Sequence, residues 1–514
     1  MVVHGQTFTA LPRPEERRRV EYEDVENLER QAGVGLVGKL MDRHYRRSRL
    51  NTEIRFNLAD VYVYRPYFTV WVTSIQIIIF IVTISVYGIA PVSVQKVRSR
   101  QVVIRSNMVY ENVSHDEESN MWIGPRPRDL ILLGAKFSSC MRRDPQIEAM
   151  VTEQYDTERG SACCIYNDKS GCVQTISDDN NICSKLLAVW KKNPDIPGTV
   201  CGLDPQFCQS PSNLTGAWKN DITEWPICRK KLQTNEDYMT CNIIGKPCCV
   251  GVSGECVITT SDYCEFLHGY FHPEAFLCSQ VSCMSALCGM VPFANPNVPD
   301  QGYRLIISQF IHSGLLDLLL TILLQATVMR DLEKLIGWIR ISIIYILSGL
   351  VGSLASATFL PYDIGAGPTG SHFGILACLF IEVVHNWYII RNPLIQILKL
   401  SGYMMILFLI GLLPMVDNYA HVFGFLFGLL LAFAMMPFIT FNVIDRRFKL
   451  IGVAVCLSSS IVIIVLLLLV FYVAPIRNCN VCKYFNCVPF TSTFCDSSEM
   501  TLQRLCNITD VTCK

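Results

Sequence analysis

Apolar residues gather in seven long stretches separated by polar segments, and each approaches the roughly 20 residues needed to cross a bilayer. The stretches run Phe68 to Ile89, Leu305 to Met329, Ile341 to Leu360, Thr369 to Ile389, Ser401 to Val416, Ala420 to Ile439 and Leu450 to Val473. The first stands alone and the other six are bunched. No apolar core precedes it, so the first stretch reads as an internal signal-anchor and not as a cleaved leader. Between it and the bunched six, residues 92–300 are rich in Gly, Pro, Asn and Asp and poor in helical periodicity. A segment such as Thr240 to Val257 reads there as strands and turns stapled by cysteines. Residues 1–65 are polar and Arg-rich, which predicts disorder with a possible short helix near Val25 to Gln31 and a basic cluster that suits anionic lipid heads.

Composition agrees with a membrane protein. Of 514 residues, 51% are hydrophobic and 17% charged, against about 25% charged in soluble domains. The 44 basic and 44 acidic residues cancel, which excludes a strongly basic nucleic-acid binder. Orientation follows from Lys and Arg near the apolar ends. Residues 1–65 hold 12 of them, including Arg17, Arg18, Arg19, Arg43, Arg46, Arg47 and Arg49. With seven spans, the turns expected in the cytosol carry Arg330, Lys334 and Arg340, then Arg391 and Lys399, then Arg446, Arg447 and Lys449. The turns expected in the lumen carry Asp363 and Asp417 and no Lys or Arg. This places the N-terminus in the cytosol and the C-terminus in the lumen.

The 24 cysteines test that placement. Sixteen fall in 92–300: Cys140, Cys163, Cys164, Cys172, Cys183, Cys201, Cys208, Cys228, Cys241, Cys248, Cys249, Cys256, Cys264, Cys278, Cys283 and Cys288. Six fall in the tail: Cys479, Cys482, Cys487, Cys495, Cys506 and Cys513. Only Cys378 and Cys456 lie in apolar stretches. Both polar sets are even, as disulfide pairing in an oxidising compartment requires. Metal binding through the Cys-Cys and Cys-x-x-Cys pairs is the weaker alternative, and no metal or cofactor is expected. Sequons at Asn112, Asn213 and Asn507 all fall on the lumenal side and are candidate glycosylation sites. The expected organisation is a cytosolic segment at 1–65, a span at 66–91, a cysteine-rich lumenal domain at 92–300, a six-span core at 301–475 and a cysteine-rich lumenal tail at 476–514.

Polar residues inside a bilayer are costly and mark functional candidates. The second stretch has His312, Asp317 and Thr321. The fourth opens Gly367-Pro368-Thr369-Gly370-Ser371-His372-Phe373-Gly374 and carries Glu382 and His385 at its far end. The sixth opens Val416-Asp417-Asn418-Tyr419-Ala420-His421-Val422-Phe423-Gly424, with Gly428 a turn on. Glycines four apart let helix backbones approach, so Gly370 and Gly374 with Gly424 and Gly428 give two packing faces. Such packing brings position 369 near His421, and a hydroxyl beside a buried imidazole is the geometry of an activated nucleophile. The bland reading of His312 and His421 is a hydrogen-bonded structural histidine, and that of Glu382 and His385 is snorkelling to the boundary.

The six bunched stretches resemble the rhomboid intramembrane serine proteases. That family carries Gly-x-Ser-Gly opening one span, Ala-His-x-x-Gly opening another, His-x4-His-x3-Asn on an earlier span and a Trp-Arg pair in the loop before it. Here Ala420, His421 and Gly424 keep the second motif, and Tyr303-Arg304 stands for the loop pair. The nucleophile motif reads Gly367-Pro368-Thr369-Gly370. The histidine motif keeps His312 but has Asp317 for the second His and Thr321 for the Asn. The resemblance narrows to the inactive rhomboids through YGIAP, GAKFSSC, CEFLHGYFH, NPNVPDQGYRL, RDLEKLIGW, CLFIEVVHNW and FTSTFC, and it covers about Arg65 to Cys495. Members of that family usually carry a longer cytosolic N-terminal region than the 65 residues seen here.

The resemblance implies an all-α polytopic bundle of six spans plus a preceding span, and a pseudoprotease of the endoplasmic reticulum, Golgi and plasma membrane. It implies single-span clients, namely ADAM-family metalloproteases and EGF-like growth factor precursors, whose trafficking or degradation it governs. The alternative is an active protease using Thr369 and His421. Residue chemistry opposes that alternative. The threonine β-methyl crowds an attacked carbonyl, Pro368 lacks an N–H, and Asp317 sets a carboxylate where the family has a donor. Loss of a single oxyanion donor costs about 10²–10³ in rate. Ser371, a conceivable substitute, lies two residues on, about 200° around the helix. Asp317 and Arg304 lack an evident partner in the sequence and are candidates to meet a client's transmembrane helix.

Overall fold

The computed structural model describes residues 46, 64–105, 109–166, 171–176, 183–186, 198–212, 218–296, 298–437, 443–476, 479–488 and 495. Of the basic N-terminal segment only Arg46, Tyr64 and Arg65 are among them, so the helix expected near Val25 lies outside the described residues.

The first apolar stretch is helix α1, Tyr67–Tyr87. Its buried residues, Phe68, Thr69, Val72, Gln76, Phe80 and Thr83, recur every three or four positions and form one stripe. Val70, Trp71, Ile78, Ile81 and Val82 on the remaining surface are exposed and apolar, as a lipid-facing surface requires.

A cysteine-rich domain follows. Strands β1 (Val97–Ile104) and β2 (Tyr110–Glu117) pair as an antiparallel hairpin. Helix α2, Pro127–Leu133, and helix α3, Pro145–Arg159, come next, the latter opened by Asp144, which accepts from the Gln146 N–H. Strands β3 (Ala162–Tyr166), β4 (Gly171–Thr175) and β5 (Cys183–Leu186) join β8 (Ile243–Ile244) in the order β5-β3-β4-β8. Strands β6 (Cys208–Pro211) and β7 (Cys228–Lys231) form a separate hairpin, and β9 (Lys246–Val250) lies between β10 (Glu255–Thr259) and β11 (Tyr270–Phe271). These small sheets bury little apolar surface each. Eight disulfides use all sixteen cysteines: 140–288, 163–201, 164–183, 172–241, 208–228, 248–264, 249–283 and 256–278. The sulfurs of Cys163, Cys172 and Cys201 lie within 4.8 Å of one another, but all three are spent in disulfides.

The second apolar stretch is not one straight helix. Arg304–Phe310 and Leu315–Ile336 meet at an 87° bend. The break falls at Ile311–Gly314, where a Cβ on Gly314 would lie 2.1 Å from the Trp122 carbonyl oxygen. The chain therefore turns where the cysteine-rich domain presses on it. Beyond the bend run α4 (Leu315–Leu324), a π-helical turn at Gln325–Met329 and α5 (Arg330–Ile336). Then come α6 (Trp338–Phe359), α7 (Thr369–His385), α8 (Pro393–Ile410), α9 (Asn418–Met435) and α10 (Val443–Tyr472). Five helices, α1, α6, α8, α9 and the Arg446–Tyr472 part of α10, are long and apolar enough to cross a membrane; the bent pair is a sixth if taken as one, and α7 is shorter at 17 residues. Helix α8 starts at Pro393, eight residues before the apolar run at Ser401, because proline suits the first helical turn. The tail forms α11, Asn480–Asn486, with disulfides 479–482 and 487–495. Cys506 and Cys513 lie outside the described residues.

Candidate functional site, a degenerate dyad under a two-part cover

Helices α6, α7 and α9 pack backbone to backbone. A Cβ on Gly424 would lie 2.3 Å from the Gly370 carbonyl oxygen, and one on Gly428 would lie 2.5 Å from the Gly374 Cα. On α6, Gly349 and Gly352 allow the same approach: added Cβ atoms would sit 2.2 Å from Ser371 Oγ and 2.9 Å from the Ala420 carbonyl. Only glycine permits these approaches. They bring the first turn of α7 against the first turn of α9.

Thr369 is the first residue of α7, after Pro368 and after Gly367 at φ +102°. Its hydroxyl has no hydrogen-bond partner among the described residues. His421 is engaged elsewhere. Its Nδ1 lies 3.0 Å from Asn418 Oδ1, and its ring stacks on Phe373 at a centroid separation of 4.1 Å and an interplanar angle of 15°. The helices bring the two residues of the would-be dyad into one region without a hydrogen bond between them.

Asp317 sits in the first turn of α4 and accepts the Ser313 N–H at 3.0 Å. Its Oδ2 would lie 3.2 Å from a Cβ on Gly367. The carboxylate thus ties off a helix start next to the Gly367-Pro368-Thr369 turn. His312, in the break, is buried, and neither ring nitrogen has a partner among the described residues. Thr321 is buried one turn beyond Asp317. His385, expected to reach the boundary, is instead buried with its ring edge-on to Phe433 at 5.0 Å.

Arg304 spends four of its five N–H donors inside the chain and is not turned toward a partner helix. It is fully buried and donates to Gln301 Oε1 at 2.7 Å, to the carbonyls of Ile131 at 2.7 Å and Ala135 at 2.9 Å, and to the Cys288 carbonyl. It locks the cysteine-rich domain to the bundle through carbonyls at the end of α2, just beyond it and at Cys288. Tyr303 beside it has a buried hydroxyl without a partner among the described residues.

Two elements cover the site. One is the segment around 120–142. Trp122 Nε1 donates to the Pro414 carbonyl at 2.8 Å, Asn120 Nδ2 donates to the Ser313 carbonyl at 2.7 Å, and Ser138 Oγ donates to the Ala357 carbonyl at 2.8 Å. Lys136 pairs its backbone with Gly365, and its ammonium reaches Asp417 at 3.3 Å as well as Ser356. The other is α11. Asn486 Oδ1 accepts from the Asn418 N–H at 2.8 Å, and Asn486 Nδ2 donates to Asp363 at 2.8 Å. The Phe485 ring lies 5.0 Å from that of Tyr419. The residue that holds His421, Asn418, is therefore itself held by the tail.

A polar network through the apolar helices was not legible as such. Glu333 is buried and accepts from the N–H groups of Phe68 and Thr69, each at 2.8 Å, and from the Thr69 hydroxyl at 2.6 Å. Gln76 and Gln325 both donate to the Tyr345 hydroxyl, at 3.0 and 3.1 Å, and Gln325 donates to Gln76 at 2.9 Å. Gln76 also donates to the Gln309 carbonyl at 3.0 Å, and Ser371 donates to Gln309 Oε1 at 3.1 Å. The signal was available: Gln76 and Gln325 are amides inside apolar runs, overshadowed by the histidines and Asp317.

Comparison with known proteins agrees with this geometry. Residues 299–438 match the Rhomboid domain. The chain is 46% identical to inactive rhomboid protein 1 of Danio rerio over 484 residues, which is 91% of this chain and 56% of that protein. It is 45% identical to inactive rhomboid protein 1 of Homo sapiens over 487 residues, 92% of this chain and 56% of that protein. It is also 45% identical to human inactive rhomboid protein 2 over 502 residues, 94% and 58% respectively. The chain spans a little over half the length of these relatives. With a rhomboid domain whose nucleophile motif reads Gly-Pro-Thr-Gly, and with this likeness over most of its residues, the chain belongs to the inactive rhomboid family.

Proposed function

We propose that the chain is a rhomboid pseudoprotease of the endoplasmic reticulum and secretory pathway that binds transmembrane clients and governs their trafficking or degradation. The carrying observation is the state of His421. Its Nδ1 is taken by Asn418 and its ring is stacked on Phe373, and it makes no hydrogen bond to Thr369. Among the described residues no base is hydrogen-bonded to the Thr369 hydroxyl, and that contact is the one that activates a nucleophile. Pro368 removes a backbone donor and Asp317 is occupied in capping Ser313.

The topology in this reading has seven spans, with a cytosolic N-terminus and the cysteine-rich domain and tail in the lumen. The disulfides and the exposed position of Asn112 on β2 support it, since both suit an oxidising, glycosylating compartment. Clients are single-span proteins, ADAM-family metalloproteases and EGF-like growth factor precursors. Asp317 accepts the Ser313 N–H through Oδ2, and its Oδ1 supplies a polar contact to the client in the membrane, while the cysteine-rich domain adds contacts to the client's ectodomain.

The test uses the full chain reconstituted in liposomes with a rhomboid substrate. No cleavage is expected, and Thr369→Ser is expected to restore none because Pro368 still lacks a backbone N–H and Asp317 still sets a carboxylate beside the turn. Cleavage by the unmodified chain that disappears in Thr369→Ala or His421→Ala would overturn the reading. Co-precipitation from membranes tests the client half: a client retains binding to the unmodified chain and loses part of it with Asp317→Ala.

A further inference from the structure

The cysteine-rich domain carries one run of cations that the bundle does not use. Strand β7 reads Cys228-Arg229-Lys230-Lys231; Cys228 is buried in its disulfide to Cys208, and the other three residues are exposed. Several other exposed cations of the domain are paired: Arg98 with Asp116, Arg159 with Asp156 and Asp221, Lys219 with Glu224. Among the described residues no carboxylate pairs with Arg229, Lys230 or Lys231.

A fourth cation joins them from another sheet. Lys231 Nζ lies 3.7 Å and Lys246 Nζ 4.6 Å from the centroid of the same Phe276 ring. Lys231 donates to the Gly202 carbonyl at 2.8 Å, and Lys246 donates to the Pro273 carbonyl. The acid facing Lys246 is Glu274, which His272 Nδ1 already engages at 2.8 Å. Burial against Phe276 and repulsion by Lys246 push the Lys231 ammonium down to about 8. Disulfides 208–228 and 256–278 fix the strand and the loop that holds Phe276. Two like charges are thus held together on one ring, and the one acid named beside them, Glu274, faces Lys246 and is shared with His272. An anionic ligand relieves that repulsion.

The shape of the patch selects among anions. Side chains alternate between the two faces of a strand, so cations on one face of β7 recur about 7 Å apart, and Lys246 widens the patch sideways from β9. Four cations brought together without paired carboxylates on β7 set up a positive field that favours a polyanion over a neutral partner. Protein interfaces rely on aromatic anchors, but here Phe276 is buried beneath the lysines, and Leu232 is the large apolar side chain exposed next to the run. We propose that Arg229, Lys230 and Lys231 of β7, with Lys246 beside them, form a binding surface for a sulfated polysaccharide chain. The proposal rests on the lumenal placement of this domain, where such chains are carried.

Full-length protein in detergent, loaded on immobilised heparin, tests it. The unmodified chain is expected to bind, and the slope of log affinity against log salt is expected to fall by about two to three in the Arg229→Ala, Lys230→Ala, Lys231→Ala triple variant, near one per lost cation. Lys246→Ala should weaken binding less, and Lys219→Ala, whose partner is Glu224, should not change it. Binding should weaken between pH 7 and pH 9 as Lys231 loses its proton. Desulfated heparin and polyglutamate are the comparison arms: equal retention of all three anions, or retention indifferent to the triple variant, overturns the proposal. Preference for polyglutamate would assign the patch to an acidic protein segment and overturn it too. Placement is read separately, by a glycosidase shift lost in Asn112→Gln, so failure of the topology and failure of the binding site are told apart.

Discussion

At the scale of single residues the core is governed by backbone approach. Gly424 lies so close to Gly370 that a methyl group would stand 2.3 Å from a carbonyl oxygen. Neither helix backbone can yield locally, so Gly424→Ala should destabilise by about 1–3 kcal/mol, the usual cost of overpacking. Gly402, on the lipid-facing helix α8, has nothing within 4 Å of an added Cβ, and Gly402→Ala should be neutral or slightly stabilising. Melting temperatures of the two variants in one detergent check this; equal shifts would mean that the close approach does not bear on stability. The same scale separates what the sequence could and could not say about the site. The glycine faces and the altered Gly-Pro-Thr-Gly turn were legible because spacing alone carries them. Arg304 and Asp317 looked unpartnered because their acceptors and donors are backbone groups: the carbonyls of Ile131, Ala135 and Cys288 for one, the Ser313 N–H for the other. Backbone groups have no signature in a sequence, and two of those carbonyls lie some 170 residues from Arg304.

At the scale of elements, α1 is tied to the core by side chains and not by apolar packing alone. Glu333 caps its first turn, and Thr73, Gln76, Gln325 and Tyr345 bridge its middle. Glu333→Ala removes three acceptor contacts from one helix start. Hydrogen bonds of this kind are worth about 0.6–2 kcal/mol each in a bilayer, so α1 should come loose before the remaining bundle does. A crosslink between cysteines placed at 71 and 310, where the Trp71 and Phe310 rings lie 6.4 Å apart, reports it: reduced crosslinking in Glu333→Ala with an unchanged melting temperature of the bundle is expected. The β1–β2 hairpin should answer to acid. His268 Nε2 lies 3.2 Å from Glu117, which Arg126 also holds, and Asp129 and His115 face His268 as well. His115 faces Asp116, Glu117, Lys96 and His268. Burial depresses both imidazoles below the usual histidine value, ahead of the charge effects. A histidine with a lowered folded pKa contributes stability that is present above about 6.5 and lost as pH falls through the folded value. Hydrogen-exchange protection factors, referred to the intrinsic rate at each pH, should therefore fall in 97–104 and 110–117 between pH 7.4 and pH 5, and His115→Gln with His268→Asn should flatten that fall. The strands themselves were legible only as turn-rich, cysteine-stapled chain, because their sheets are small and disulfides replace the alternating apolar pattern that normally announces a strand.

At the scale of the whole molecule, the apolar stretches and their order were legible, while the junction between the cysteine-rich domain and the bundle was not. The bend at Ile311–Gly314 shows why: it is imposed by the Trp122 carbonyl, a contact between parts of the chain some 190 residues apart. That junction and the tail close over one spot. Lys136 holds Asp417, Asn486 holds Asn418, and Asp417 and Asn418 begin the helix that carries His421. Each contact couples a different part of the chain to one helix start, so loosening either should expose the Thr369 turn without unfolding the bundle. Thr369→Cys provides the probe, read against the unmodified chain, whose free cysteines among the described residues are Cys378 and Cys456. A membrane-impermeant maleimide applied from the side of the cysteine-rich domain should label Cys at 369 slowly. Asn486→Ala, which frees the Asn418 N–H and Asp363 from the tail, should speed labelling. Lys136→Met should speed it as well, and the two together should do so by more than their product, because each element backs the other over the same helix end. Labelling that is already fast in the otherwise unmodified chain would mean the cover stands open, and rates unmoved by both substitutions would mean the route to Thr369 lies through the membrane between helices, untouched by either element.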